Sequence, residues 1–217
     1  MFTDERLARK KRSEKLLESL GADFLPSLPY IEIEKETIIR NPVEIGKRII
    51  CLVCVAAAAD NVNQEIIINW LQNESLYLSL TKKEKSFLNS KQIKDKEKNK
   101  FSWASENAWL LLWSVGKVKR SLPTEECNIQ EILNVIPSIG TSITEFLNSL
   151  KTINKNKILD MSDFLYRAHW STRQYELAKD VNIGDLNSGV VSEWHYAVNW
   201  LTNYESIENW DDITTDT

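Results

Sequence analysis

Asn41-Pro42-Val43-Glu44-Ile45-Gly46-Lys47-Arg48-Ile49-Ile50-Cys51-Leu52-Val53-Cys54-Val55-Ala56-Ala57-Ala58-Ala59 decides the fold class of this chain. It opens with an asparagine suited to cap a helix, a proline in the first turn and a glutamate three residues after the cap. From Ile49 to Ala59 the helix is apolar almost all round, so it belongs at the centre of a core. That run has eleven residues, well short of the roughly 20 that span a bilayer. Outward from it the same start signal recurs at Thr81-Lys82-Lys83-Glu84, Asn128-Ile129-Gln130-Glu131 and Ser142-Ile143-Thr144-Glu145. Thr3, Asp4 and Glu5 suit a first helix, with Leu7, Leu16, Leu17 and Leu20 toward the core and Gly21 at its end. Ser102 starts a tryptophan-rich helix with Trp103, Trp109 and Trp113, ending at Gly116. Two long helices are predicted over about 158–179 and 188–203.

Period-two alternation is almost absent. Tyr30-Ile31-Glu32-Ile33-Glu34 is the best strand candidate, inside a proline-bearing extended segment or short hairpin near 25–40. Six glycines and five prolines are few for a sheet-rich fold. The chain therefore reads as all-α, a single multi-helix bundle spanning 1–217. Residues 90–100, lysine-rich and polar, read as a mobile loop.

Composition narrows the function classes. The hydrophobic share of 42% and charged share of 27% are those of a soluble globular protein. A net charge of −4 gives no general pull toward nucleic acid. Charge is uneven, however. Thr81–Lys100 holds eight lysines against three acids, and the tail after Tyr204 holds only acids. Three cysteines and no secretory leader suit a reducing cytosol. Cys51 and Cys54 have redox spacing, but inside an apolar helix they read as small core residues. No phosphate loop, nucleophile elbow, dinucleotide glycine pattern or paired-histidine metal motif is present. No cofactor and no metal are expected.

The densest chemistry lies between Asp160 and Trp210. Both histidines and four of the eight tryptophans are there. On the first long helix Asp163 and Arg167, Tyr166 and Trp170, and His169 and Arg173 are one turn apart. Leu159, Tyr166, Trp170 and Leu177 should point inward, leaving Asp163, Arg167 and His169 along an edge. On the second, Glu193 lies near Tyr196, and His195 is one turn from Asn199. With Asp160, Trp210 and Asp211 these residues form the candidate site. Two readings stay open. An arginine could hold an anion while a histidine moves protons; or the groups form a buried polar junction that pins two helices.

Several of these stretches resemble one family, the domain of unknown function 4272. The resemblance rests on Phe101-Ser102-Trp103, Glu106 and Leu111–Gly116, then on Ile158–Asp160, Asp163-Phe164, Tyr166-Arg167 and His169-Trp170. It continues with Glu193, His195, Ala197 and Asn199–Leu201, the ending Trp210–Asp212 with Asp216-Thr217, and the early helix from Arg40 to Arg48. It covers nearly the whole chain in order. It departs at Trp194, where the family commonly has arginine, and at Ser171, where it commonly has alanine. The resemblance implies an intracellular helical domain and no activity. The leading expectation is a non-enzymatic protein-binding module, of which an acidic immunity-type protein that blocks a toxin is one version. The alternative is a hydrolase or nucleotide-acting enzyme using the polar cluster. A protein partner is expected and a membrane is not; the oligomeric state stays open.

Overall fold

The computed structural model describes residues 5–215. The cap expected at Thr3, with Asp4, and the ending Asp216-Thr217 lie outside the described residues. The helices are α1 (Glu5–Ser19), α2 (Pro42–Ala59), α3 (Gln64–Asn73), α4 (Lys82–Leu88) and α5 (Asp95–Ser102). They continue with α6 (Ala104–Ser114), α7 (Ile129–Val135), α8 (Thr144–Asn148), α9 (Lys155–Ala178) and α10 (Ser188–Leu201). Short 3-10 turns occupy Tyr77–Ser79, Tyr204–Ser206 and Trp210–Asp212. The protein is all-α, with no strand among the described residues.

Helix α2 is central, as its apolar circumference requires. Asn41 caps it by accepting the Glu44 N–H at 2.9 Å. Ile45, Ile49, Ile50, Leu52 and Val55 are all buried, each worth about 1.5–3 kcal/mol relative to exposure. From α2 the packing runs in a row: α2 on α6, α6 on α10, α10 on α9, and α9 on α1. Helices α4, α5 and α8 pack against α2 as well.

Several sequence expectations need correction. The extended segment is there, but Tyr30–Glu34 pairs with no strand. Cationic side chains take its backbone carbonyls instead: Lys10 donates to Leu28 O at 2.9 Å, Arg167 to Pro29 O at 3.0 Å and Lys155 to Thr37 O at 2.6 Å. It is a strap over the bundle. The loop expected at 90–100 ends at Lys94, because Glu97 turns back to accept the Lys94 N–H, nucleating α5, and Phe101 then stacks on Phe87 at 4.2 Å. Helix α8 starts at Thr144, with Ser142 Oγ accepting the Thr144 N–H. Leu177 is 70% exposed, because the last turns of α9 run past the helices that bury its middle.

The end of α1 meets the loop before α10 at unusually close range. The backbone N–H of Asp185 donates to Leu20 O at 3.0 Å and that of Asp23 to Asn182 O at 2.8 Å, around an isolated bridge between Ala22 and Ile183. Gly184 makes this possible: its φ is +53°, and a Cβ there would sit 1.9 Å from Leu20 O. Gly184→Ala is expected to destabilise the protein by about 3 kcal/mol, from left-handed strain plus displaced backbone. Urea unfolding measures this; a loss within about 0.5 kcal/mol, the range of an ordinary surface change, would show that the contact does not matter.

Candidate functional site

The polar residues of α9 do not form one cluster. They are divided among separate contacts, each set by the helix face that carries them. Asp163 and Arg167 share a face and pair in two-pronged fashion, Nε to Oδ2 at 3.0 Å and Nη2 to Oδ1 at 2.9 Å. Their side chains are 1% and 0% exposed, so they are not on an edge, as the helical spacing suggests, but sealed beneath the strap whose Pro29 carbonyl also takes an Arg167 N–H. Asp160 faces the other way and accepts from Arg9 at 3.2 Å and Arg12 at 2.7 Å, tying α1 to α9. Arg173 pairs with exposed Glu176 at 2.8 Å rather than with His169. Trp170 is half-buried.

His169 turns toward α10 instead. Its Nδ1 lies 2.8 Å from Nδ1 of His195, with the rings edge-on at 5.1 Å. Burial holds His169 down to about 4, aided by the Arg173 charge, and His195 down to about 3, aided by His169. Both are therefore neutral at pH 7. The contact then requires complementary tautomers: one Nδ1–H donates to the other's Nδ1 lone pair.

Glu193 has a partner that sequence reasoning missed. The Asn107 amide donates to it from α6. Beside it, Glu106 accepts the Cys127 N–H at 2.7 Å and the Trp194 indole N–H at 3.0 Å. Burial raises both carboxyls above their ordinary range, and Glu106 raises Glu193 further. Trp194 thus supplies a neutral donor to Glu106.

Asn199, Trp210 and Asp211 belong to a clasp that holds the C-terminal segment. Asn199 donates to Thr214 O at 2.8 Å. Trp210 packs edge-on against Tyr196 and Trp200 at 5.2 and 5.3 Å, under the Arg48 guanidinium at 5.0 Å. Arg48 is paired with buried Glu84, and Asp211 accepts the Lys83 N–H at 3.2 Å. Among the described residues no three of His, Cys, Asp and Glu are placed to hold a metal ion. Cys51 and Cys54 are buried free thiols; burial pushes Cys51 up to about 12 and Cys54 higher still.

The open surface is elsewhere. A groove of about 960 Å³ runs between α2, the start of α6, and α7 with the turn after it. Its floor is the small-residue face of α2, Val53, Ala56 and Ala57, with Trp103 at one side. Its far wall is α7 and its continuation, where Ile129, Ile132, Leu133 and Ile136 recur at helical spacing. Ile132 is buried, but Ile129 and Leu133 are 49% and 51% exposed. The charged residues of the lining are Asp60, Glu106 and Glu126; no lysine or arginine is among them. The sequence signal for this wall was the α7 stripe, visible but indistinguishable from a stripe that packs on the core.

Residues 9–213 match the family described as a domain of unknown function (DUF4272), and the chain belongs to that family. No curated protein and no solved structure matches it.

Proposed function

Taking membership of that family as the premise, we propose that this protein is a non-enzymatic protein-binding module of the cytoplasm, and that its α2–α6–α7 groove receives an amphipathic, positively charged helix of a partner protein. One observation carries the reading: a large groove is mostly apolar and the charged residues of its lining are all acids, while the polar residues of α9 and α10 are divided among separate pairings, most of them buried. Half-exposed isoleucine and leucine at helical spacing face a floor of alanine and valine. That is the complement of a helix presenting large apolar side chains at i, i+3 and i+4. The exposed Asp60 and Glu126 favour lysine or arginine at its flanks, and the net charge of −4 speeds approach of a basic partner. An immunity-type role against a basic toxin is one form of this reading. The alternative, a hydrolase or nucleotide-acting enzyme, needs Asp160, Asp163, Arg167, His169, Glu193 and His195 to converge on a substrate, and their separate pairings weigh against it. No helix among the described residues is long and apolar enough to cross a membrane.

The test uses a designed Leu/Lys amphipathic helix of about 18 residues as the probe, with its Leu/Glu counterpart as control. The Leu/Lys peptide is expected to bind saturably, to shift NMR signals of Val53, Ala57, Ile129 and Leu133, and to weaken as salt rises. Ala57→Arg, which fills the groove and adds a like charge, should weaken binding by at least about tenfold, the equivalent of 1.4 kcal/mol, without changing the melting temperature. Absence of saturable binding, equal binding of the Leu/Glu peptide, or indifference to Ala57→Arg would each overturn the proposal.

A further inference from the structure

A second cavity, of about 120 Å³, lies under the strap and shares no lining residue with the groove. Its walls are Ser162 and Tyr166 from α9, His195 and Asn199 from α10, and Thr202 and Tyr204 just beyond; Pro29–Glu32 form its roof. Every one of the six wall side chains carries a hydrogen-bonding group. Several are already oriented by contacts behind the wall. Asn199 spends one amide N–H on Thr214 O at 2.8 Å, which leaves its second N–H and its carbonyl for other partners. The Thr202 hydroxyl donates to Val198 O at 2.9 Å, which leaves its oxygen an acceptor. His195 spends Nδ1 on His169, so Nε2 is its remaining ring nitrogen. The roof is held by Arg167 and Lys10 through the Pro29 and Leu28 carbonyls.

This lining selects by chemistry. No lysine or arginine lines the cavity, and Glu32 does, so an anion would meet no counter-charge. An apolar guest would strip water from several polar groups and return no hydrogen bond, which is unfavourable at each one. A guest that both donates and accepts satisfies them. A cavity of about 150 Å³ accommodates benzene, with its six heavy atoms, so this one, at about 120 Å³, takes about five or six. We infer that the cavity is a binding site for a small neutral polyol, of glycerol size or smaller, held by Asn199, Thr202, His195 and the strap. This goes beyond the groove reading and does not depend on it.

Titration of the whole protein with glycerol and with ethylene glycol, followed by NMR, is the test, with 1-propanol and inorganic phosphate as controls. Concentrations stay below those at which a polyol acts as a bulk cosolvent. Saturable shifts are expected at Ser162, His195, Asn199, Thr202 and residues 30–32 with at least one polyol, and with neither control. Thr202→Val and, separately, Ser162→Ala are expected to weaken binding by about tenfold, the equivalent of one hydrogen bond lost. No saturable shift at these residues overturns the inference, because the cavity then holds only water. So does equal binding of 1-propanol or phosphate, or unchanged affinity in both variants. The Leu/Lys peptide leaves these signals unmoved whichever way this experiment falls, so the two proposals fail separately.

Discussion

Arg167→Met is expected to destabilise the protein by about 3–5 kcal/mol, the usual cost of leaving one charge of a buried pair without its partner. The side chains of Asp163 and Arg167 are 1% and 0% exposed, so water cannot solvate the carboxylate that remains. The arginine also donates to Pro29 O, so its loss loosens the strap as well. Asp163→Leu should cost a similar amount, because it strands the guanidinium. The double variant Asp163→Leu/Arg167→Met removes both charges and should recover much of the loss, since well-packed apolar replacements of buried pairs are often near neutral. Urea unfolding of the four proteins gives the coupling directly. Single variants that each cost less than about 1 kcal/mol, the value of an exposed pair, would mean that water reaches the site.

Stability is expected to fall as pH drops from 7 to 5, and the histidine pair is the reason. In the unfolded chain an imidazole takes up its proton near pH 6.5. In the folded protein burial holds His169 to about 4 and His195 to about 3. The unfolded state therefore binds more protons below pH 6.5. The contribution of the pair is complete above that pH and is lost as pH falls through 6.5 toward 4 and 3. Each group contributes a slope of up to about 1.4 kcal/mol per pH unit in that window. Glu106 and Glu193 act in the opposite sense. Their folded affinities for protons are raised, so their contribution is complete at low pH and declines as pH rises. Replacing both histidines by glutamine should therefore flatten the profile between pH 7 and 5 or reverse its slope. Urea midpoints at pH 7, 6 and 5 decide it. A wild-type stability unchanged over that interval, with the same profile in the double glutamine variant, would show that the imidazoles take up protons in the fold as readily as in the unfolded chain.

Local signals were well written in the chain. The Asn41 and Thr81 caps, the buried α2, and the i,i+4 pairing of Asp163 with Arg167 all follow from short-range spacing. Helix periodicity also marks the wall of the groove, at Ile129, Ile132, Leu133 and Ile136. What spacing cannot give is the depth at which a face ends up. Asp163 and Arg167 look like surface neighbours on a helical projection, yet the strap, over 130 positions away in sequence for Arg167, closes over them. In the same way His169 could pair with Arg173 one turn on, but it meets His195 instead, 26 positions away.

Short-range patterns in the chain are enough to establish that it is helical, roughly where its long helices begin and end, and which family it resembles. Capping, proline geometry and apolar period act within a few residues, so those features need no knowledge of the rest. Only the tertiary structure decided which polar groups are sealed and which surface stays open. Glu193 finds Asn107, Asp160 finds Arg9 and Arg12, and α7 stands off from α2 to leave a groove. Those outcomes depend on how α2, α6, α9, α10 and α1 stack in a row, and stacking is settled by the burial of all their faces together.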